Sequence, residues 1–399
     1  MRAVPKAVAE VAVAAVEQRC RTGIRQRLLL AALGGLLAVP ATAAILPEDR
    51  ADVMYHDYDG GGLQVDGPSI LVRKGFKEKV SVWGNYYVDM ISSASIDVVA
   101  TASPYKEKRT EVSGGVDYLH GKTLMGMSYT NSNEDDYKAN TARVSMSQDF
   151  FGDLTTLSIS YARGWDKVLR NGDPSFQEHT DRQTYGVDLS QVVTPNMVLN
   201  LSYESVTEDG YLHNPYRSAR YLDPTAPKGY AYEAEVTPGT RTSSATALRG
   251  MYYLPYRASL QAEYRYYTDT WNVDAWNIGF GYVQPLPKGF TVEARYRYYS
   301  QNASNFYSDL YSGPDSQNFV SRDKELSTFT SHSIGFGVNY DLSPRVAPFF
   351  KRGQVSLFAD FLYFSYDDFR DVLKGGTPGD EPLYSFESTV LRFYVSFWY

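Results

Sequence analysis

From about Arg50 to the last residue the chain repeats one pattern: segments of roughly 10–14 residues in which apolar and polar positions alternate with a period of two. "SLQAEYRYY" sets Leu260, Ala262, Tyr264 and Tyr266 against Gln261, Glu263 and Arg265. "FTVEARYRYY" sets Val292, Ala294, Tyr296 and Tyr298 against Glu293, Arg295 and Arg297. "SIGFGVNY" sets Ile334, Phe336, Val338 and Tyr340 against Gly335, Gly337 and Asn339. About sixteen such segments are countable, centred near Val53, Leu71, Val82, Gly114, Met127, Val144, Ile159, Val187, Leu201, Leu248, Tyr264, Ile278, Ala294, Phe336, Ala359 and Phe393. A period of two predicts half-buried strands, and ~9–11 residues suffice for a tilted strand to cross a bilayer.

A soluble sandwich would alternate too, so the connections decide. After even-numbered segments the links are mostly tight: Gly75–Glu78, His120–Lys122, Phe151–Asp153, Thr194–Asn196, Pro255–Arg257 and Leu286–Lys288, with Ser343–Gly353 longer. They carry the Gly, Pro, Asn and Asp that turns require. After odd-numbered segments come Ile91–Lys108, Lys167–Asp181, Gly210–Arg241, Ala303–Leu326 and Asp367–Leu383, with short links only near Gly60, Glu134 and Trp271. Long and short links on opposite rims predict an all-β fold: a transmembrane antiparallel barrel of about 16 strands, with short periplasmic turns and long extracellular loops.

The final segment, "STVLRFYVSFWY", places Leu391, Phe393, Val395, Phe397 and Tyr399 on one face. Such a strand must close onto the first, because an open edge in hydrocarbon leaves backbone groups unpaired. These five residues are expected to face lipid and to serve as the C-terminal signal read by the barrel insertion machinery.

Composition sharpens the picture. The 34 tyrosines suit rings that are apolar on one side and wet at the tip, as at a membrane–water boundary. Residues 1–43 read as a cleaved signal peptide: Arg19, Arg21, Arg25 and Arg27, then the short apolar run Leu28–Val39, then Pro40 and Ala41-Thr42-Ala43. Residues 44–399 are then a single barrel domain, without internal repeat or low-complexity stretch. The sole cysteine, Cys20, lies in the leader, so the mature chain has no disulfide, thiol nucleophile or Cys–His haem motif. The leader holds six Arg/Lys and two Asp/Glu, so the mature part is more acidic than the formal −7 of the whole chain. An exported acidic chain is a poor fit to nucleic acid. The expected surroundings are outer-membrane lipid and lipopolysaccharide; the solute or protein partner is left open.

Chemistry, if any, belongs on the inward face. The lumen-lining candidates are Glu263, Arg265, Glu293, Arg295, Arg297, Asp360 and Arg392. Gly279, Gly281, Gly335 and Gly337 would leave a clear floor for their long side chains, so a serine at 337 should be tolerated where an arginine at Phe336 is not. The arginines either attract anionic solutes or pair with the carboxylates as a structural network; opposite charges on adjacent strands favour pairing. Inward Trp83 and Tyr267 point to partial filling. His56, His120, His179, His213 and His332 are not at metal-ligand spacing. There is no nucleophile elbow, phosphate loop or dinucleotide fingerprint, so neither metal, cofactor nor catalysis is expected. "EDDY" (Glu134–Tyr137) and "SYDDF" (Ser365–Phe369) could offer oxygen ligands to Ca²⁺, but read more simply as solvated loop charge. The long link Gly210–Arg241, rich in Tyr, Pro and Gly, either folds into the lumen or caps it.

"ESVTEDGYLHNPYR" (Glu204–Arg217), "EYRYYTDTWNV" (Glu263–Val273) and "RYRYYSQNASNFYSDLY" (Arg295–Tyr311) together resemble a family of uncharacterised proteobacterial outer-membrane barrel proteins, and the likeness runs along the whole mature chain. The resemblance implies a barrel and an outer-membrane location. It implies no activity and carries over no functional residue. The residues themselves favour passage of small polar solutes through the lumen, ahead of a plugged barrel serving as scaffold for other proteins.

Overall fold

The computed structural model describes residues 45–93, 96, 105–342 and 350–399; the leader segment 1–43 lies outside the described residues. Sixteen antiparallel strands close into one barrel. In chain order they are β1 (Arg50–Gly60), β2 (Leu63–Phe76), β3 (Val80–Ser93), β4 (Tyr105–His120), β5 (Thr123–Asn133), β6 (Tyr137–Phe150), β7 (Thr155–Leu169), β8 (Gln177–Thr194) and β9 (Met197–Gly210). The wall resumes with β12 (Thr240–Tyr253), β13 (Ser259–Asp269), β14 (Asp274–Pro285), β15 (Phe290–Gln301), β16 (Phe329–Leu342), β17 (Arg352–Arg370) and β18 (Leu383–Trp398). Between β9 and β12 the long link forms its own hairpin, β10 (Ser218–Leu222) with β11 (Tyr230–Ala234). Each expected segment centre falls inside one strand. The last strand closes onto the first, from Arg50 opposite Trp398 to Gly60 opposite Ser388.

Several strands run longer than the alternation predicts. β8 has 18 residues and β17 has 19, and the link expected over Lys167–Asp181 shrinks to 170–176. The ladder of backbone bonds continues past the alternating stretch: the start of β8 is polar on both faces, and the end of β17 is apolar on both, with Leu362 and Phe364 inward and Phe361 and Tyr363 outward.

The wall separates two chemistries. Outward, Val112, Met127, Val144, Ile159, Val187 and Leu201 form part of a continuous exposed apolar belt. Rings border it at both ends. Toward the long loops, Tyr129 bonds Asn140, Tyr185 bonds Gln183 and Tyr266 bonds Asp274, each hydroxyl reaching a polar neighbour. Toward the short turns stand Phe76, Phe150, Tyr252, Tyr256 and Phe290. Two aromatic girdles around an apolar belt are what a bilayer selects, and they account for part of the tyrosine content, the rest lying in the bore and the loops. In β18, Leu391 and Phe393 are each 45% exposed on this belt. Val395, Phe397 and Tyr399 share their face; Phe397 stacks on Phe350 and the Tyr399 hydroxyl donates to the Arg73 carbonyl at 2.9 Å.

Candidate functional site

Sixteen strands enclose a bore wide enough for water, so what fills it decides its use. The wall is uneven. On β5–β8 small inward residues, among them Gly126, Ser128, Thr130, Thr141, Ala162 and Thr184, line the bore beside Arg143 and Arg182. The opposite arc carries bulk, including Tyr87, Tyr267, Tyr299, Phe358, Arg392 and Tyr394. The remaining space is a cavity of about 980 Å³. Ten arginines, ten carboxylates and no lysine line it among the described residues.

The bulky arc is tied by charge. Arg295 donates to Asp360 at 3.1 Å and lies 3.3 Å from Glu293, while Arg392 bonds the other Asp360 oxygen. Arg295 and Arg392 both lie over the Phe358 ring, at 5.3 and 5.8 Å. Glu263 accepts from Arg249 Nε at 3.0 Å, Arg265 lies 3.9 Å from Glu204, and Arg297 sits 5.1 Å over the Tyr299 ring. All seven candidates thus belong to the inner wall, four of them (Glu293, Arg295, Asp360 and Arg392) in one cluster. Arg249 and Glu204 were not singled out, although period-two counting along "TALRGMYY" puts Arg249 inward. A second network was missed on the far arc. Asp89 is buried between His56 Nε2 at 2.9 Å and Arg109 at 2.5 Å, and Arg73 bonds Asp117. Trp83 lies 5.8 Å from the Arg73 guanidinium, Tyr267 donates to Asp269 at 2.8 Å, and both line the cavity.

The glycine floor is only partly free. A Cβ on Gly335 would stand 2.1 Å from Asp360 Oδ1, and one on Gly337 would stand 2.4 Å from the Phe358 ring. Those side chains lie flat on the glycines, so the expected tolerance of serine at 337 is corrected. Gly279 keeps ordinary distances, 3.7 and 3.9 Å.

Loops cover the long-loop end. The segments 211–239, 302–328 and 371–382 converge on Arg220, which is 0% exposed. It donates to Asp309 at 2.7 Å and to Glu381, 89 and 161 residues away. Asp309 also accepts from Arg322 Nε at 2.9 Å and from the Arg370 N–H at 3.2 Å. Arg217 adds a tie to Asp323, and Arg170 reaches the Pro215 carbonyl at 2.6 Å. Beneath them, Leu63, Val65, Ile91, Leu362, Phe364, Phe369 and Val390 form an apolar core inside the barrel. Burying each such leucine or phenylalanine contributes ~1.5–3 kcal/mol. The His213 ring lies against that of Tyr211, tilted by 37° with centres 4.0 Å apart, and burial pushes its pKa down.

The acidic stretches behave differently from a solvated loop. Glu134 and Asp136 are 4% and 5% exposed, and with Glu107 their carboxylate oxygens lie within 4.8 Å of one another. In "SYDDF", Asp367 is exposed but Asp368 accepts from the Thr328 N–H at 2.9 Å. The reading as solvated charge therefore holds for exposed Asp135 and Asp367 and fails for Glu134, Asp136 and Asp368, because neighbouring loops fold over them. The remaining histidines are scattered: His120 beside Tyr118, His179 beside Gln177, and His332 on the outer face bonded to Tyr296.

Solved structures of similar outline include a bacterial polysaccharide outer membrane secretin (9% identity, 90% of this chain and 99% of that one, TM-score 0.47). A FadL homologue from Pseudomonas aeruginosa (11%, 90% and 92%, TM-score 0.42) and OmpT from Vibrio cholerae (9%, 88% and 100%, TM-score 0.41) are others. At such identities and scores they carry no argument about this chain. No curated protein matches it. A family model does, over residues 91–348, a narrower span than the whole-chain resemblance, and it covers most of the barrel wall and two of the three loops that meet at Arg220. The chain belongs to DUF3570, a family of proteins of unknown function.

Proposed function

We propose that this chain is an outer-membrane channel that passes small polar solutes, with its short turns in the periplasm and its long loops outside. One observation carries the reading. A single cavity is lined at one end by Arg50, Gln354 and Ser396, beside the short turns, and at the other by Leu212, Tyr216 and Glu325 in the long loops. It reaches from one end of the barrel to the other, past small hydroxyl residues and the Arg143 and Arg182 side chains. Equal numbers of arginines and carboxylates, many of them paired, leave little net field in the bore. Uncharged and zwitterionic solutes suit such a path better than strongly charged ones. The location rests on the apolar belt and girdles together with the leader-like first 43 residues.

The interlocked loops favour a second reading, a plugged barrel that presents its outer surface to a partner. Liposome swelling separates the two. Vesicles holding the refolded barrel should swell in monosaccharides and small amino acids, and progressively less in longer oligosaccharides. Vesicles that swell no faster than protein-free ones would remove the channel reading in favour of the plugged one.

A further inference from the structure

The outer face near the long loops is acidic or neutral around most of the barrel. Asp57, Asp59 and Asp66 stand on β1 and β2, Asp209 and Asp274 on β9 and β14, Asp367 and Glu387 on β17 and β18. One sector differs. Lys106 and Lys108 on β4, Lys138 on β6, and Arg163 and Lys167 on β7 all point outward and are exposed. They are the outward-facing cations of this half of the wall among the described residues.

Their arrangement is unfavourable by itself. Lys138 and Lys167 are direct partners across the β6–β7 ladder, and like charges directly opposite repel. Of the five, only Arg163 has a carboxylate partner among the described residues, Asp181 at 3.3 Å, with both side chains more than half exposed. Below the lysines lies an aromatic platform: Tyr129 and Trp165 are exposed, with ring centres 6.2 Å apart. Asn140 joins it, accepting from the Tyr129 hydroxyl at 2.7 Å and from Asn131 at 2.9 Å. Outward tyrosine and tryptophan mark the level where acyl chains give way to headgroups. The lysines therefore stand at headgroup height, where a phosphate would relieve their repulsion through charge-assisted bonds.

We infer that the β4–β7 sector is a docking site for a phosphorylated glycolipid of the outer leaflet, its phosphates held by Lys106, Lys108, Lys138 and Lys167 and its sugars lying on Trp165 and Tyr129. The inference rests on the outer-membrane reading but not on conduction.

The test uses the refolded full barrel titrated with vesicles containing lipid A, and with matched vesicles in which the lipid A has been dephosphorylated. The wild type should bind the phosphorylated form at least tenfold more tightly. The double variants Lys138→Gln/Lys167→Gln and Lys106→Gln/Lys108→Gln should each lose most of that preference, and Asp57→Asn on the acidic side should keep it. Equal binding of both vesicle types, or unchanged binding by the lysine variants, overturns the inference; so does full competition by millimolar inorganic phosphate, which would mark a free-anion site. Heat-modifiable migration of the same samples separates the two layers of the argument. A barrel that inserts yet shows no preference sinks the lipid site alone, and a chain that does not insert sinks the outer-membrane reading with it.

Discussion

Replacing Arg220 with methionine should release the external loops. The guanidinium is fully buried between Asp309 and Glu381, and methionine keeps much of the volume but none of the charge. Glu381 then remains buried without its cation, while Asp309 keeps only Arg322, a change that costs about 3–5 kcal/mol. That is roughly a hundred- to several-thousand-fold shift toward the undocked arrangement. The barrel wall has its own ladder of backbone bonds and should stay intact. The expected result is a heat-modifiable barrel with new trypsin cleavage within 211–239 and 302–328, together with larger and noisier conductance. A variant with wild-type cleavage and conductance would show that the three loops are held by something else. Acid should act on the same lock. Burial alone would raise the Glu381 carboxyl, but the bonds from Arg220 and the Gly379 N–H outweigh it and hold the pKa below its ordinary value. A lowered value in the docked state means the stabilisation is fully present above the ordinary carboxylate range of about 4.3 and is lost as pH falls through the lower docked value. Loop release in the wild type is therefore expected only as pH falls below the ordinary carboxylate range.

Phe336→Arg should block assembly. Phe336 sits mid-strand in β16, 54% exposed on the lipid face and flanked in register by Ala294 and Ala359. Arginine at mid-bilayer on a barrel exterior costs about 2–4 kcal/mol, and small neighbours on both sides offer no polar partner. Gly279→Ser, on the inner face with ordinary distances around its new Cβ, should refold as the wild type does. The heat-modifiable fraction after refolding reads both. Equal yields from the two variants would remove the assignment of faces.

The wall was legible because lipid outside and water inside impose opposite demands at every second residue. That pressure fixed the sixteen segments, the closing strand and the inward placement of Glu263, Arg265, Glu293, Arg295, Arg297, Asp360 and Arg392. It could not reveal where a neighbouring side chain lies flat on the backbone, so Gly337 looked free while Phe358 covers it. It faded wherever loops replaced water inside. "LFADFLYFSYDDF" is apolar at inward Leu362 and Phe364 as well as at outward Phe361 and Tyr363, a loss of alternation that marks burial on both faces. The Arg220 lock joins residues 89 and 161 positions apart on loops with no periodic pattern, and the burial of Glu134 and Asp136 depends on the same folding over of loops. Neither left a local signal.

The most direct test of the account is the conductance of the refolded wild-type barrel in a planar bilayer. Stable openings with weak preference between anions and cations are expected, because the charges along the bore balance. A well-folded, heat-modifiable barrel that stays silent at all voltages would contradict it.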